Sequence, residues 1–355
     1  MLASPLVRAW RVCLGLLASL AVFFATGEIV SRSLDLVDRL NGFPRRLFVA
    51  TDDPHLPYLL RPGVDTSVRG VPVRVNALGL RGPEATPEPA AGVHRVLALG
   101  DSATFGEYLT VDEAFPAVLE HELVARTGQR WEVLNAGVEG YNTEAELAFL
   151  TTRGLALRPE AVVVGFNLND FDRAPVLGPL GVLTSDQTAR LSSRSLANRS
   201  EFYLLLRFFT ASVGHLVHGQ PAVQALPAPT AGERFSTFDL AVSRQRKAYY
   251  RQPTDERWQG MVDALRGLGA VAAGHHLRLV VAVIPDGDQF GPDADLTPQD
   301  RLRTVCAELG LDCVDLRPAF AAAGGALHVD TMHPNAAGQR LIADALADRL
   351  LEPGR

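Results

Sequence analysis

Apolar and polar residues change their spacing several times along this chain, and each change marks a different kind of element. Arg8 and Arg11 precede an uncharged run from Val12 to Gly27 that is rich in Leu, Ala, Val and Phe. A membrane-spanning helix needs roughly 20 apolar residues and a signal-peptide core roughly 7–15. The run lies between the two, so residues 1–30 are read as a signal anchor or a signal peptide. Ala25 and Gly27 supply small residues at −3 and −1 of a cleavage before Glu28. Residues 31–50 read as an amphipathic stalk. Residues 51–94 carry seven prolines and read as an ordered lead-in, with a short strand at 71–75 and a glycine-punctuated turn at 76–82.

From Arg95 the pattern becomes an alternation of strand and helix. Short apolar runs at 95–99, 131–134, 161–166, 277–284 and 312–316 read as strands, and Val162, Val163 and Val164 stand in succession in the third. Unbroken apolar runs suit strands buried on both faces of a parallel sheet. Helical spacing fills 115–126, 144–157, 258–273, 299–309 and 336–351. The fold class is therefore α/β: a five-stranded parallel sheet with helices on both faces. In such sheets ligands bind beyond the carboxyl ends of the strands.

The stretch 171–254 interrupts the alternation. It has no good strand, and it includes an apolar helical stripe at 202–217 and a Pro/Ala-rich stretch at 220–229. It reads as an insertion within a catalytic domain spanning 95–352. Its ten basic and five acidic residues make it +5, whereas the whole chain, with 34 basic and 40 acidic residues, is −6. The overall balance argues against a nucleic-acid binder. The basic insertion fits an anionic polysaccharide partner, and its apolar helix fits a lipid surface. The plainer alternative is a helix packed on the core beneath a solvated loop, with Arg244, Arg246, Lys247 and Arg251 as surface charge.

Three cysteines are too few for a disulfide scaffold or an all-cysteine zinc site. Cys306 on a helix and Cys313 on the following strand are placed to pair in an oxidising compartment, and two free thiols are the alternative. Neither a metal nor a cofactor is called for.

Candidate chemistry collects at the strand ends. Ser102 follows the first strand in Gly100-Asp101-Ser102, without the G-x-S-x-G elbow, because residue 104 is Thr. Asp330 and His333, three residues apart in a turn before the last helix, allow a carboxylate to orient an imidazole. Two further loops end strands, Asn135…Gly140 and Asn167-Leu168-Asn169-Asp170. Glycine permits close approach of a backbone N–H, and an asparagine amide is a neutral donor.

These four blocks, in this order, resemble those of the SGNH (GDSL-type) hydrolases. The resemblance covers about 95–350 and leaves the insertion outside. It implies a flavodoxin-like three-layer α/β/α sandwich and a serine esterase acting by acyl transfer. It implies Ser102 as nucleophile, His333 as base and Asp330 as its orienting carboxylate. The implied oxyanion donors are the N–H groups of Ser102 and Gly140, with Gly137 the less favoured glycine, and the Asn169 amide. Where the family's third block has a glycine two residues before the asparagine, this chain has Asn167. Segments 76–82 and 104–106 look like those of bacterial, membrane-anchored members. Either reading of the N-terminal segment puts the catalytic domain outside the cytoplasm, periplasmic in such a bacterial member. The family resemblance implies an ester substrate such as an O-acyl group on a cell-envelope glycan, and the apolar 202–217 helix allows a lipid. An O-acyltransferase uses the same residues, and a non-catalytic glycan-binding protein would require a lost site residue. His328 reads as a satisfied neighbour of the site. Acyl and alcohol specificity and oligomeric state are not encoded in any of these patterns.

Overall fold

The structure is a computed structural model that describes residues 5–41, 43–177, 183–184, 200–217, 235, 237–251, 256–290, 294–324 and 326–352. The element order is α1 (Pro5–Ser33), α2 (Leu36–Asn41), β1 (Phe48–Ala50), β2 (Tyr58–Leu60), β3 (Asp65–Val68), β4 (Val71–Arg74), β5 (Val93–Gly100), α3 (Ser102–Phe105), α4 (Phe115–Thr127), β6 (Arg130–Gly137), α5 (Thr143–Thr152), β7 (Ala161–Phe166), β8 (Val176–Leu177), β9 (Leu183–Thr184), α6 (Glu201–Val217), α7 (Thr237–Arg251), α8 (Glu256–Gly274), β10 (Arg278–Val283), α9 (Thr297–Leu309), β11 (Cys313–Asp315), α10 (Arg317–Ala323) and α11 (Ala336–Leu351).

The central sheet runs β11-β10-β7-β5-β6, and every pairing in it is parallel. Its strands alternate faces. Leu97, Leu99, Val162, Val164 and Val281 pack with Phe149, Leu265 and Leu268 on one side. Val96, Ala98, Val163, Val280 and Ala282 pack with Leu119, Ile342 and Leu346 on the other. This explains the unbroken apolar runs: both faces are covered by helices, so neither can be polar. The first two strands of the sheet to form in chain order lie to one side, and the chain then reverses past β5. The reversal opens a crevice between the carboxyl ends of β5 and β7, the usual ligand position in such sheets. Gly100 pairs with Gly137 on one side and Gly165 on the other, so three loops leave the sheet at one level.

The lead-in is built into this domain. Phe43, Leu47, Phe48, Tyr58 and Leu60 join the core, so most of the expected stalk is folded structure. The stalk region holds the end of α1, the six-residue α2 and one 3-10 turn at Arg45–Leu47. Two antiparallel pairs, β1–β2 and β3–β4, form within the lead-in. Arg81 reaches the carbonyls of Phe105, Gly106 and Leu109. Buried Arg95 bonds the Pro87 and Leu157 carbonyls at 2.7 and 2.6 Å.

The stretch 171–254 departs from its sequence reading in three ways. It contains a short antiparallel pair, β8–β9, which two-residue strands do not announce by periodicity. Its apolar helix α6 lies against α1 and α2 and not on the sheet. Phe202 packs edge-on to Phe23 and Phe24 over Gly27. The Glu28 carboxylate accepts from Ser200 Oγ at 2.7 Å and from the Phe202 N–H at 3.0 Å. Finally, α7 is part of the domain. Ser243, Arg246, Lys247 and Tyr250 recur at helical spacing and are all buried. Arg246 and Lys247 are thus not surface charge: they pair with Asp286 at 3.3 Å and Asp288 at 2.6 Å. Arg244 and Arg251 are exposed as expected. The Pro/Ala-rich 220–229 stretch lies outside the described residues.

Cys306 of α9 and Cys313 of β11 are joined in a disulfide, and Cys13 is free. Helix α1 is long and apolar enough to cross a bilayer, and none of its most apolar stretch is buried.

Candidate active site

Strand β5 ends at Gly100, whose φ of 151° favours glycine. A Cβ there would overlap the Thr104 side chain and come within 3.0 Å of the Gly165 carbonyl. The chain therefore turns sharply from strand into α3. Asp101 caps that helix, accepting from the Ala103 N–H at 2.9 Å. Ser102 is its first residue. Gly106, at φ 86°, ends the helix after one turn. From α11, Gln339 braces this turn by donating to the Ala103 carbonyl at 2.9 Å and accepting from the Phe115 N–H at 2.8 Å.

Asp330 and His333 come from the turn before α11. The Asp330 Oδ1 accepts the N–H groups of Met332 and His333, both at 2.8 Å. These bonds aim Oδ2 at His333 Nδ1, 2.7 Å away. On the opposite edge of the ring, Nε2 lies 2.8 Å from Ser102 Oγ. The three sequence-singled residues thus form one continuous hydrogen-bonded line. Burial alone would raise the Asp330 pKa, but the charge and hydrogen bonds of His333 outweigh it and hold the carboxyl well below its usual range. Burial works against the His333 charge too, yet Glu107 and Asp330 overcome it and push the imidazole up to about 10.

The other two loops flank Ser102. Gly137 packs its α-carbon against α3, and its N–H is used on Asn135 Oδ1 at 3.0 Å. Gly140 is different: its φ is 73°, and its N–H meets no acceptor among the described residues. Between the two glycines considered, the free donor is therefore Gly140. Tyr58 of the lead-in donates to the Glu139 carbonyl at 2.6 Å and steadies this loop. Asn169 Nδ2 spends one hydrogen on Asp101 Oδ2 at 3.3 Å, and an amide nitrogen carries a second. Asn167, at the family's glycine position, donates to Asp101 Oδ1 at 2.7 Å. Both asparagines thus hold the residue beside the serine, and burial leaves the Asp101 carboxyl raised despite these bonds. His328 Nε2 bonds the Pro285 carbonyl at 2.9 Å.

Sequence reasoning missed Glu107, Tyr58 and Gln339. Glu107 Oε2 is 3.3 Å from His333 Nε2. Nothing in the spacing of a loop glutamate signals that contact. A cavity of about 580 Å³ lined by His55, Asn142, Phe171, Arg173 and Arg257 lies beside the site and includes neither Ser102 nor His333. Among the described residues no group of three or more His, Cys, Asp or Glu is arranged to hold a metal ion.

Comparisons with known proteins place this geometry in context. A search of curated proteins gave no match. Among solved structures, TesA is 15% identical, with a TM-score of 0.41 over 73% of this chain and 98% of its own. Axe2, an acetylxylan esterase from Geobacillus stearothermophilus, is 15% identical, with a TM-score of 0.43 over 73% and 95%. A lipase/acylhydrolase from Enterococcus faecalis is 16% identical, with a TM-score of 0.40 over 74% and 99%. The model of the GDSL-like lipase/acylhydrolase family matches residues 98–341, more than half of the chain and all four sequence blocks. The chain belongs to the GDSL-like lipase/acylhydrolase family and is a hydrolase acting on esters.

Proposed function

We propose that this protein is a membrane-anchored serine esterase that removes short O-acyl groups from an extracytoplasmic glycan or small ester. The observation that carries the chemistry is the line Asp330–His333–Ser102, with its contacts of 2.7 and 2.8 Å. His333 Nε2 takes the Ser102 proton as Oγ attacks the ester carbonyl. Asp330 keeps the Nδ1 proton in place. The N–H groups of Ser102 and Gly140 and the second amide hydrogen of Asn169 hold the oxyanion, each such donor being worth roughly 10²–10³ in rate. His333 then returns its proton to the departing alcohol, and a water molecule repeats the sequence on the acyl-serine. Ser102 is only 3% exposed, which favours acyl groups of acetyl size.

A fluorophosphonate probe is expected to add one adduct mass on the peptide containing Ser102. An ester panel from acetyl to palmitoyl is expected to favour the shortest chain. No adduct, with a folded protein, would refute the nucleophile. Turnover that depends on an added oligosaccharide would reassign the activity as acyl transfer.

The anchoring reading rests on α1 and on α6 seated against it. Phe202 packs on Phe23 and Phe24, which precede the site where a signal cleavage would fall, so the helix is read as retained. After carbonate washing of membranes, the full-length chain is expected in the pellet, with Cys306 and Cys313 resistant to alkylation until a reductant is added. A shortened chain in the soluble fraction, with both thiols reactive, would overturn this.

A further inference from the structure

His333 Nε2 faces two oxygens. Ser102 Oγ is at 2.8 Å and Glu107 Oε2 at 3.3 Å. A ring nitrogen carries at most one proton, so the two oxygens compete for it. Glu107 is brought there by the turn that ends α3. Gly106 reverses the chain, and the Glu107 N–H donates to the Ser102 carbonyl at 3.0 Å. The Glu107 side chain is almost fully buried, and Arg69, from the β3–β4 turn, pairs with its Oε1.

Behind it stands a second acid. Glu139 is half-buried with its carboxyl turned inward against Glu107, and its buried Oε2 has no hydrogen-bond partner among the described residues. Two carboxyls in contact in a dry site cannot both ionise. Burial, then Glu107, pushes Glu139 far above the ordinary carboxylate range, so Glu139 keeps the proton.

We propose that Glu107 is a second positioning residue for His333, steadying the imidazole from its Nε2 side and setting the pH at which that nitrogen can accept the Ser102 proton. This rests on the reading of Ser102 and His333 given above. The charged and titratable groups around the ring are few. Asp330 faces it from its own turn, Glu107 and Tyr108 from the segment after α3, Glu139 from the β6–α5 loop and Asp101 from the start of α3. Arg69 lies 5.2 Å over the Tyr108 ring, and Arg246 of α7 reaches the neighbouring Met332 sulfur. The acids favour imidazolium, and burial and the cations oppose it. The net effect raises the His333 pKa to about 10. The sign follows directly: His333 stays protonated as pH rises through the ordinary histidine range near 6.5, and the base is freed only on the alkaline side.

The test is the pH profile of kcat/KM for the full-length chain in detergent, with p-nitrophenyl acetate and the spontaneous rate subtracted. In Glu107→Gln the acidic limb is expected to move down by roughly 1–3 units, the usual effect of one adjacent opposite charge. Glu107→Asp should restore much of the parent limb. Arg69→Gln removes a cation and should move the limb up. A Glu107→Gln enzyme that loses rate with its limb unmoved would overturn the proposal. If that variant does not fold, an unmoved limb in Arg69→Gln overturns it instead. Failure of the nucleophile reading is distinguishable, because it would appear as full activity in Ser102→Ala with any pH profile.

Discussion

Ser102→Ala is expected to lower kcat for a short p-nitrophenyl ester by roughly 10⁴–10⁶, the range seen when a serine nucleophile is deleted from such a constellation. The effect is large because, in the proposed mechanism, the hydroxyl oxygen bonds to the acyl carbon, and neither His333 nor the proposed oxyanion donors can replace it. The fold should be almost untouched. Among the described residues Ser102 Oγ has one hydrogen bond, to His333 Nε2, and helix α3 is capped by Asp101. A surviving far-ultraviolet circular dichroism spectrum and a melting temperature within a few degrees of the parent are expected. Parent-level hydrolysis in this variant would remove Ser102 from the chemistry.

Gly137→Ala should do the opposite, damaging the fold and the site together. A Cβ at residue 137 would overlap Phe105 N and sit 2.9 Å from its α-carbon. Both are backbone atoms of α3, so relief requires moving the helix that carries Ser102. Overpacking of this kind typically costs about 1–3 kcal/mol, and displacing a reacting group by an ångström costs roughly 10² in rate. Urea denaturation should give a lower midpoint, and kcat should fall in the fraction that folds. Gly128→Ala is the control. It sits at φ 66° with nothing within 4 Å, so only left-handed backbone strain of roughly 1–2 kcal/mol is expected, without loss of activity. Equal activity losses in the two variants would refute the packing argument.

Particular elements explain why some of this was legible from sequence. Strands β5, β7 and β10 are buried on both faces, so each announces itself as an unbroken apolar run. Ser102, Asp330 and His333 stand at strand or helix ends in a fixed order, and short-range geometry constrains them: the Asp330–His333 contact spans three residues. Cys306 and Cys313, seven residues apart, are legible as a candidate pair, with free thiols as the alternative, and the structure joins them. By contrast, Arg246 and Lys247 read as solvated charge because their partners, Asp286 and Asp288, lie about forty residues away. The lead-in reads as ordered, but its spacing does not show that Tyr58 bonds Glu139 across eighty-one residues.

The sequence by itself determined the α/β alternation, the candidate residues for the chemistry and the apolar N-terminal helix. Each is written in neighbours within a turn or a strand, where backbone geometry does the placing. Only the tertiary structure decided which glycine N–H is free, that α6 leans on α1, and that Glu107 competes with Ser102 for one nitrogen. Those outcomes depend on which groups share a buried volume, and burial turns a contact between distant residues into a charge, a proton position or a steric limit.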